Sequence, residues 1–332
     1  MDRAARVRTG TLPAPPRGGE GDRRVRVSLA GLRALEAEAG RLSFLPRQPA
    51  RSVLNGRHAS RMRGRGLNFE ELRTYQPGDD VRAIDWKVTA RTGEPHVRVM
   101  TEERDRPALI VVDQRMSMFF GSVHAMKSVT AAEAAALAAF AIAGEGDRVG
   151  GIVFGDGAIA EIRPERTRAA LDRFLAALAN ANGLLGPDTP PADPMPMNAV
   201  LRAVSRIAPR NHLIIVISDF DEIDATTHRL VDGLSRHNDL VLCLVSDPFA
   251  DDLPAGLRLV VSDGELQAEI DTVDRTAHRR LVDMAKGRLA AVMDWQRRLG
   301  VPVLPLTSAE ETLPQVLRLM GRPPRPARGA MP

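Results

Sequence analysis

From residue 107 onward, short apolar runs alternate with segments of helical periodicity, and this alternation constrains the fold more than any other feature. The runs are ALIVVD, DRVGGIVFG, IAEIR, HLIIVISD, DLVLCLVSD and VPVLPL. Continuous apolar runs of this length, bounded by turn residues, suit strands buried on both faces, and their alternation with helices calls for a mostly parallel sheet covered on both sides. Helices are predicted over 124–143, 167–179, 198–207, 226–237 and 275–299. One segment departs from the alternation: in LRLVVSDGELQAEIDT, Asp263-Gly264 sits between alternating runs and predicts a β-hairpin ahead of the last long helix. The expected fold class is α/β, doubly wound, with the large domain over 107–320. A chain of 332 residues, 44% hydrophobic, has room for that domain and a smaller accessory segment. Aromatics make up only 4%, so the core must be aliphatic.

The accessory segment is expected over 28–106, flanked by disordered tails at 1–27 and 321–332. The first tail is rich in proline, glycine and arginine and lacks the apolar surface needed to offset the entropy of ordering. Leu29, Leu32, Leu35 and Ala39 then fall at helical spacing, with Gly40 as a stop. Residues 1–66 hold many arginines and no lysine, a composition that can bind nucleic acid or anionic lipid. Phe44 is the only aromatic there that could stack on a base, so a solvated tail is the preferred reading. The single cysteine, Cys243, cannot form an internal disulfide, which fits a reducing compartment. No run of about 18 apolar residues predicts a membrane-spanning helix, and the opening residues lack the apolar centre of a secretory signal. The expected location is the cytoplasm. There is no GxxxxGK[ST] or strand-associated GxGxxG to cradle phosphates. His124, His212 and His278 have no second histidine or cysteine at metal-ligand spacing.

Residues 64–93, GRGLNFEELRTYQPGDDVRAIDWKVTARTG, are the densest run of special residue types. Tyr75 and Gln76 lead into a Pro77-Gly78 turn, after which Asp79, Asp80, Arg82, Asp85, Lys87 and Arg91 crowd around Ile84 and Trp86. Asp79 or Asp80 is placed to cap the next element of the chain. In one reading Ile84 and Trp86 plug a core while the charges pair around them. In the other the same charges and Trp86 form a docking surface. The block holds no histidine or cysteine, so a nucleophile with an activating base has no local parts.

From FEELRTYQPGDDVRAIDWKVTARTG into VVDQRMSM, the chain resembles the bacterial family called domain of unknown function 58. The resemblance implies a short N-terminal segment joined to a von Willebrand factor type A-like domain, and a MoxR-type AAA+ ATPase as partner. It also implies a metal-ion-dependent adhesion site at the carboxyl ends of the strands, built from an Asp-x-Ser-x-Ser, a threonine and a late aspartate. Carried over, Asp113 matches the first aspartate, Ser117 the second serine and Asp219 the late aspartate. Arg115 stands where the first serine belongs, and Met195 falls near the threonine position while Thr189 lies further upstream. A guanidinium cannot ligate a cation and repels one at close range. Arg115 is therefore expected to lie between the carboxylates of Asp113 and Asp219 as a fixed cation.

The function expected on these grounds is a non-enzymatic interaction module that acts with the ATPase on unidentified client proteins. No cofactor is expected; magnesium on Asp113, Ser117 and Asp219 is the weak alternative. Two other classes stay open: a metal-dependent hydrolase using Asp79, Asp80 and Asp85, and a nucleic-acid binder using the arginine-rich N-terminus.

Overall fold

A computed structural model of the chain describes residues 22–40, 42, 67–77, 79–102, 107–186, 189, 192–250, 258–262, 267–271 and 275–320. The tail expected over 321–332, most of the one at 1–27, and the Asp263-Gly264 turn lie outside the described residues. The described residues form two units: 67–102 is one, and the segment from 22 to 42 joins 107–320 in the other.

In chain order the elements are α1 (Leu29–Ala34), α2 (Glu36–Ala39), β1 (Leu67–Thr74), α3 (Trp86–Thr92), β2 (His96–Glu102), β3 (Ala108–Asp113), α4 (Lys127–Gly144), β4 (Val149–Phe154) and β5 (Ile159–Glu165). There follow α5 (Arg168–Gly183), α6 (Met197–Ile207), β6 (Leu213–Ser218), α7 (Ala225–Ser235), β7 (Asp239–Ser246), β8 (Arg258–Ser262), β9 (Gln267–Asp271), α8 (Arg275–Leu299), β10 (Val303–Thr307) and α9 (Thr312–Met320).

The larger unit is built on a sheet of order β10-β7-β6-β3-β4-β5, parallel except for the antiparallel edge strand β5. Alternate residues of β3 serve opposite layers. Ala108, Ile110 and Val112 pack with α4, α5 and α9, whereas Leu109 and Val111 pack with α6, α7 and α8. This mixed α/β arrangement, with helices on both faces, is compatible with a Rossmann-like fold. The strands β8 and β9 pair antiparallel as the predicted hairpin.

Among the described residues, α4 is the one helix long and apolar enough to cross a bilayer, yet 78% of it is buried inside this unit. Its alanines carry no bulk beyond Cβ, so the helix packs close to the sheet and is apolar all round because it is covered all round. It begins at Lys127 rather than 124, since the residues before it form a short 3₁₀ turn (Met116–Met118) and a loop.

The N-terminal helix expected from Ser28 is present in two pieces, with the Ser28 side chain accepting a hydrogen bond from Gly31 N–H at 3.0 Å. The expectation of a detached tail through residue 27 is corrected at its end. Val27 N–H donates to Asn182 Oδ1 at 2.8 Å, Arg26 donates to the Gly183 carbonyl at 3.0 Å, and the Arg24 carbonyl accepts from Met126 N–H at 2.8 Å. These hydrogen bonds, together with Val27 packed against the core, hold the residues in place.

The smaller unit is an antiparallel pair, β1 with β2, bulged between Phe69 and Glu71. Tyr75 N–H donates to the Pro95 carbonyl at 2.8 Å and Asp79 N–H to the Gln76 carbonyl at 3.0 Å, closing the turn that Pro77 begins. Between the strands, α3 is capped at both ends. Asp85 accepts from Lys87 N–H and Val88 N–H at its start, and Gly93 takes a left-handed conformation (φ 80°) at its end.

Candidate functional site

The chain leaves β3 through α4 on one face and leaves its neighbour β6 through α7 on the other, so the crevice at the carboxyl ends of β3 and β6 is the switch point of the sheet. Asp113 closes β3 and Asp219 follows β6, and both are buried, at 0% and 3% exposure. Two buried carboxylates at one crevice need counter-charge.

Arg115 supplies the first cation. Its backbone N–H donates to Asp113 Oδ1 at 3.0 Å, Nε lies 3.1 Å from Oδ1, and Nη2 lies 2.8 Å from Oδ2 and 3.9 Å from Asp219 Oδ1. The guanidinium is 2% exposed, lies over the Phe154 ring at 5.5 Å, and donates to the Met195 carbonyl at 3.3 Å. Met195 therefore meets this site through its backbone, while Thr189 is turned to the Leu184 carbonyl at 2.7 Å. Asp113 Oδ2 also accepts from the Ser218 hydroxyl at 2.7 Å.

Lys127, the first residue of α4, supplies the second cation, with Nζ 2.7 Å from Asp219 Oδ2. At the rim, Arg288 of α8 lies 3.8 Å from Asp219 and 3.4 Å from Asp221. Burial alone would raise the Asp219 carboxyl, but Lys127, Arg288 and Arg115 outweigh it and hold this group below the usual carboxylate range. Burial would likewise lower Arg115, and the facing carboxylates keep it charged instead. Burial pushes the Asp113 carboxyl up, and Arg115 and the Ser218 hydroxyl oppose that rise without reversing it. With both carboxylates ionised, Asp113 and Asp219 balance Arg115 and Lys127.

Lys127 and Arg288 escape the sequence reading because nothing local links them to Asp219, which lies 92 positions from Lys127. The one available signal is a lysine at the head of an otherwise alanine-rich helix.

The oxygens do not fit a divalent ion. Such an ion needs oxygens converging at roughly 2.0–2.6 Å. Here both oxygens of Asp113 already accept from Arg115 and Ser218, Oδ2 of Asp219 accepts from Lys127, and the guanidinium lies between the two carboxylates. Ser117 sits in the following 3₁₀ turn, with its Oγ buried and without a hydrogen-bond partner among the described residues.

In the smaller unit the signature block sorts into committed and presented side chains. Asp79 is held by Arg73 at 2.7 and 2.8 Å, which keeps its carboxyl below the ordinary range, and it also accepts from Gln76 N–H. Asp80 accepts from Arg82 N–H at 2.9 Å, and Asp85, 8% exposed, caps α3. The three carboxylates therefore serve three separate local tasks and do not form a common centre. Tyr75 is half-buried. Arg82, Lys87 and Arg91 are exposed. The expectation that Trp86 plugs a core is corrected: it is 68% exposed. Asp85 takes the inward position at the helix start, Val97 (3% exposed) supplies the apolar interior beside Ile84, and the indole turns to solvent.

Fold and site together define an α/β protein whose switch-point carboxylates are neutralised by its own cations. The family described as "Protein of unknown function DUF58" matches residues 71–290, and the chain belongs to it. It is 29% identical over 287 residues to the Uncharacterized protein Rv1480 of Mycobacterium tuberculosis and to the Uncharacterized protein Mb1516 of Mycobacterium bovis. Each alignment covers 86% of this chain and 89% of the relative.

Proposed function

We propose that this chain is a non-enzymatic protein–protein interaction module, built on a von Willebrand factor type A-like domain and acting with a MoxR-type AAA+ ATPase in the remodelling or maturation of client proteins. The observation that carries this reading is the internal neutralisation of the switch point. Where an α/β sheet ordinarily presents its ligand-binding groups, Asp113, Arg115, Lys127 and Asp219 are turned onto one another and away from solvent. Groups so engaged give shape to the loops around them and hold no free base or nucleophile toward a substrate. The hydrolase alternative is disfavoured because Asp79, Asp80 and Asp85 cap or pair locally.

Affinity capture of the tagged full chain from its native organism, read by quantitative mass spectrometry, tests the proposal. An AAA+ ATPase among the strongest hits is expected. Its absence, or a ribosome- and DNA-dominated list that vanishes at moderate salt, overturns the reading.

A further inference from the structure

The smaller unit presents an unusual surface. On α3, Trp86 and Ala90 are four residues apart and Lys87 and Arg91 are four apart, so the four share one side of the helix. All are exposed, as are Arg82 and Val81 (61%) in the preceding 3₁₀ turn. Among the described residues Arg82, Lys87 and Arg91 make no ion pair, because the nearby acids are used elsewhere: Asp79 on Arg73, Asp85 as a cap. Asp80 meets Arg82 only at its backbone N–H, and Glu94 stands beyond the end of the helix. The surface thus joins a large exposed indole to three uncommitted cations, on a helix fixed by caps at both ends.

We propose that this side of α3, with Val81 and Arg82, docks an acidic segment of a partner protein, whose apolar side chain rests on Trp86 and whose carboxylates meet Arg82, Lys87 and Arg91. Trp and Arg dominate binding energy where they are central to an interface, and opposed charge orients the partner and speeds encounter. Charge complementarity selects an acidic occupant. Membrane binding by an interfacial helix scales with the apolar area it buries as well as with its charge. A seven-residue helix with one aromatic offers little such area, which favours a protein over a membrane. This inference rests on the interaction-module reading and specifies the chemistry of the partner's contact.

The chain has two tryptophans, and Trp295 is buried at 4% exposure, so a change in emission or quenching on binding reports Trp86. The full chain is titrated with an amphipathic Glu/Leu peptide, with its Gln/Leu counterpart, and with vesicles of phosphatidylglycerol in phosphatidylcholine. The Glu/Leu peptide is expected to blue-shift the emission and shield it from acrylamide. Combined Arg82→Glu, Lys87→Glu and Arg91→Glu reversal should weaken that binding by at least about tenfold with an unchanged melting temperature. Equal binding of the Gln/Leu peptide, binding of vesicles alone, or no binding overturns the inference. The reversal variant is also used in the capture experiment. If it retains the ATPase as well as wild type does, the surface assignment fails while the functional reading stands. If wild type binds the acidic peptide but captures no ATPase, the functional reading fails and the surface stands.

Discussion

Arg115→Leu removes the cation between two buried carboxylates and leaves a shorter, apolar side chain in its place. The substitution deletes the guanidinium contacts to Asp113 at 2.8 and 3.1 Å and the longer one to Asp219 at 3.9 Å. Asp113 keeps the Arg115 backbone N–H and the Ser218 hydroxyl, which cannot neutralise a charge at 0% exposure. Breaking a buried pair by removing one partner costs about 3–5 kcal/mol. At the size of the larger unit, that lowers the melting temperature by roughly 10 °C. Urea unfolding at neutral pH, with wild type in parallel, reads the loss directly. The Asp113→Asn/Arg115→Leu double variant should recover much of it, since removing both partners leaves no orphan charge. Arg115→Ser should be similarly unstable without metal and should gain stability as magnesium is added, because the cleared space between the carboxylates then admits a cation. A loss below about 1 kcal/mol for Arg115→Leu, the size of a surface pair, would refute the reasoning.

Lys127→Met should cost about 3 kcal/mol at neutral pH by the same logic. Because the Asp219 carboxyl is held low in the folded wild type, its contribution is full above the ordinary carboxylate pKa of about 3.9 and is lost as pH falls through the lowered value. The difference between wild type and variant in urea unfolding should therefore shrink toward pH 3, and a difference that grows on acidification contradicts the pairing. Asn182→Ala should cost roughly 1–3 kcal/mol. It leaves Val27 N–H and Gln114 Oε1 without their partner in a buried chain that continues from Gln114 Nε2 to the Ser128 carbonyl; denaturant unfolding within 0.5 kcal/mol of wild type, roughly the level of a neutral surface change, would refute it. Burial pushes the Cys243 thiol up to about 12, so a disulfide reagent should leave the native protein untouched and react only as fast as the chain unfolds.

The central strands are legible in the sequence because burial on both faces leaves no polar residue to interrupt them, as in ALIVVD and HLIIVISD. Strand β1 is not, since LNFEELRT mixes charges into a two-stranded pairing and shows no sustained apolar run. Helix α9 is short and carries Pro314 in its first turn, where proline is tolerated but reads as a break. At the site, Asp113 and Asp219 are legible from strand ends, and Arg115 from its place two residues after Asp113. Lys127 and Arg288 are not, because only the packing of α4 and α8 brings them to Asp219. Trp86 shows the limit of the rule that large apolar residues lie inside. Its placement follows from Asp85 capping the helix one residue earlier, a local contest that composition does not reveal.

The functional reading depends on a switch point closed by its own cations, and a calorimetric titration of magnesium into the wild-type full chain at neutral pH tests that closure most directly. Heats indistinguishable from dilution are predicted, with no change in melting temperature at the end of the titration. Micromolar binding that Asp113→Asn abolishes would contradict the account.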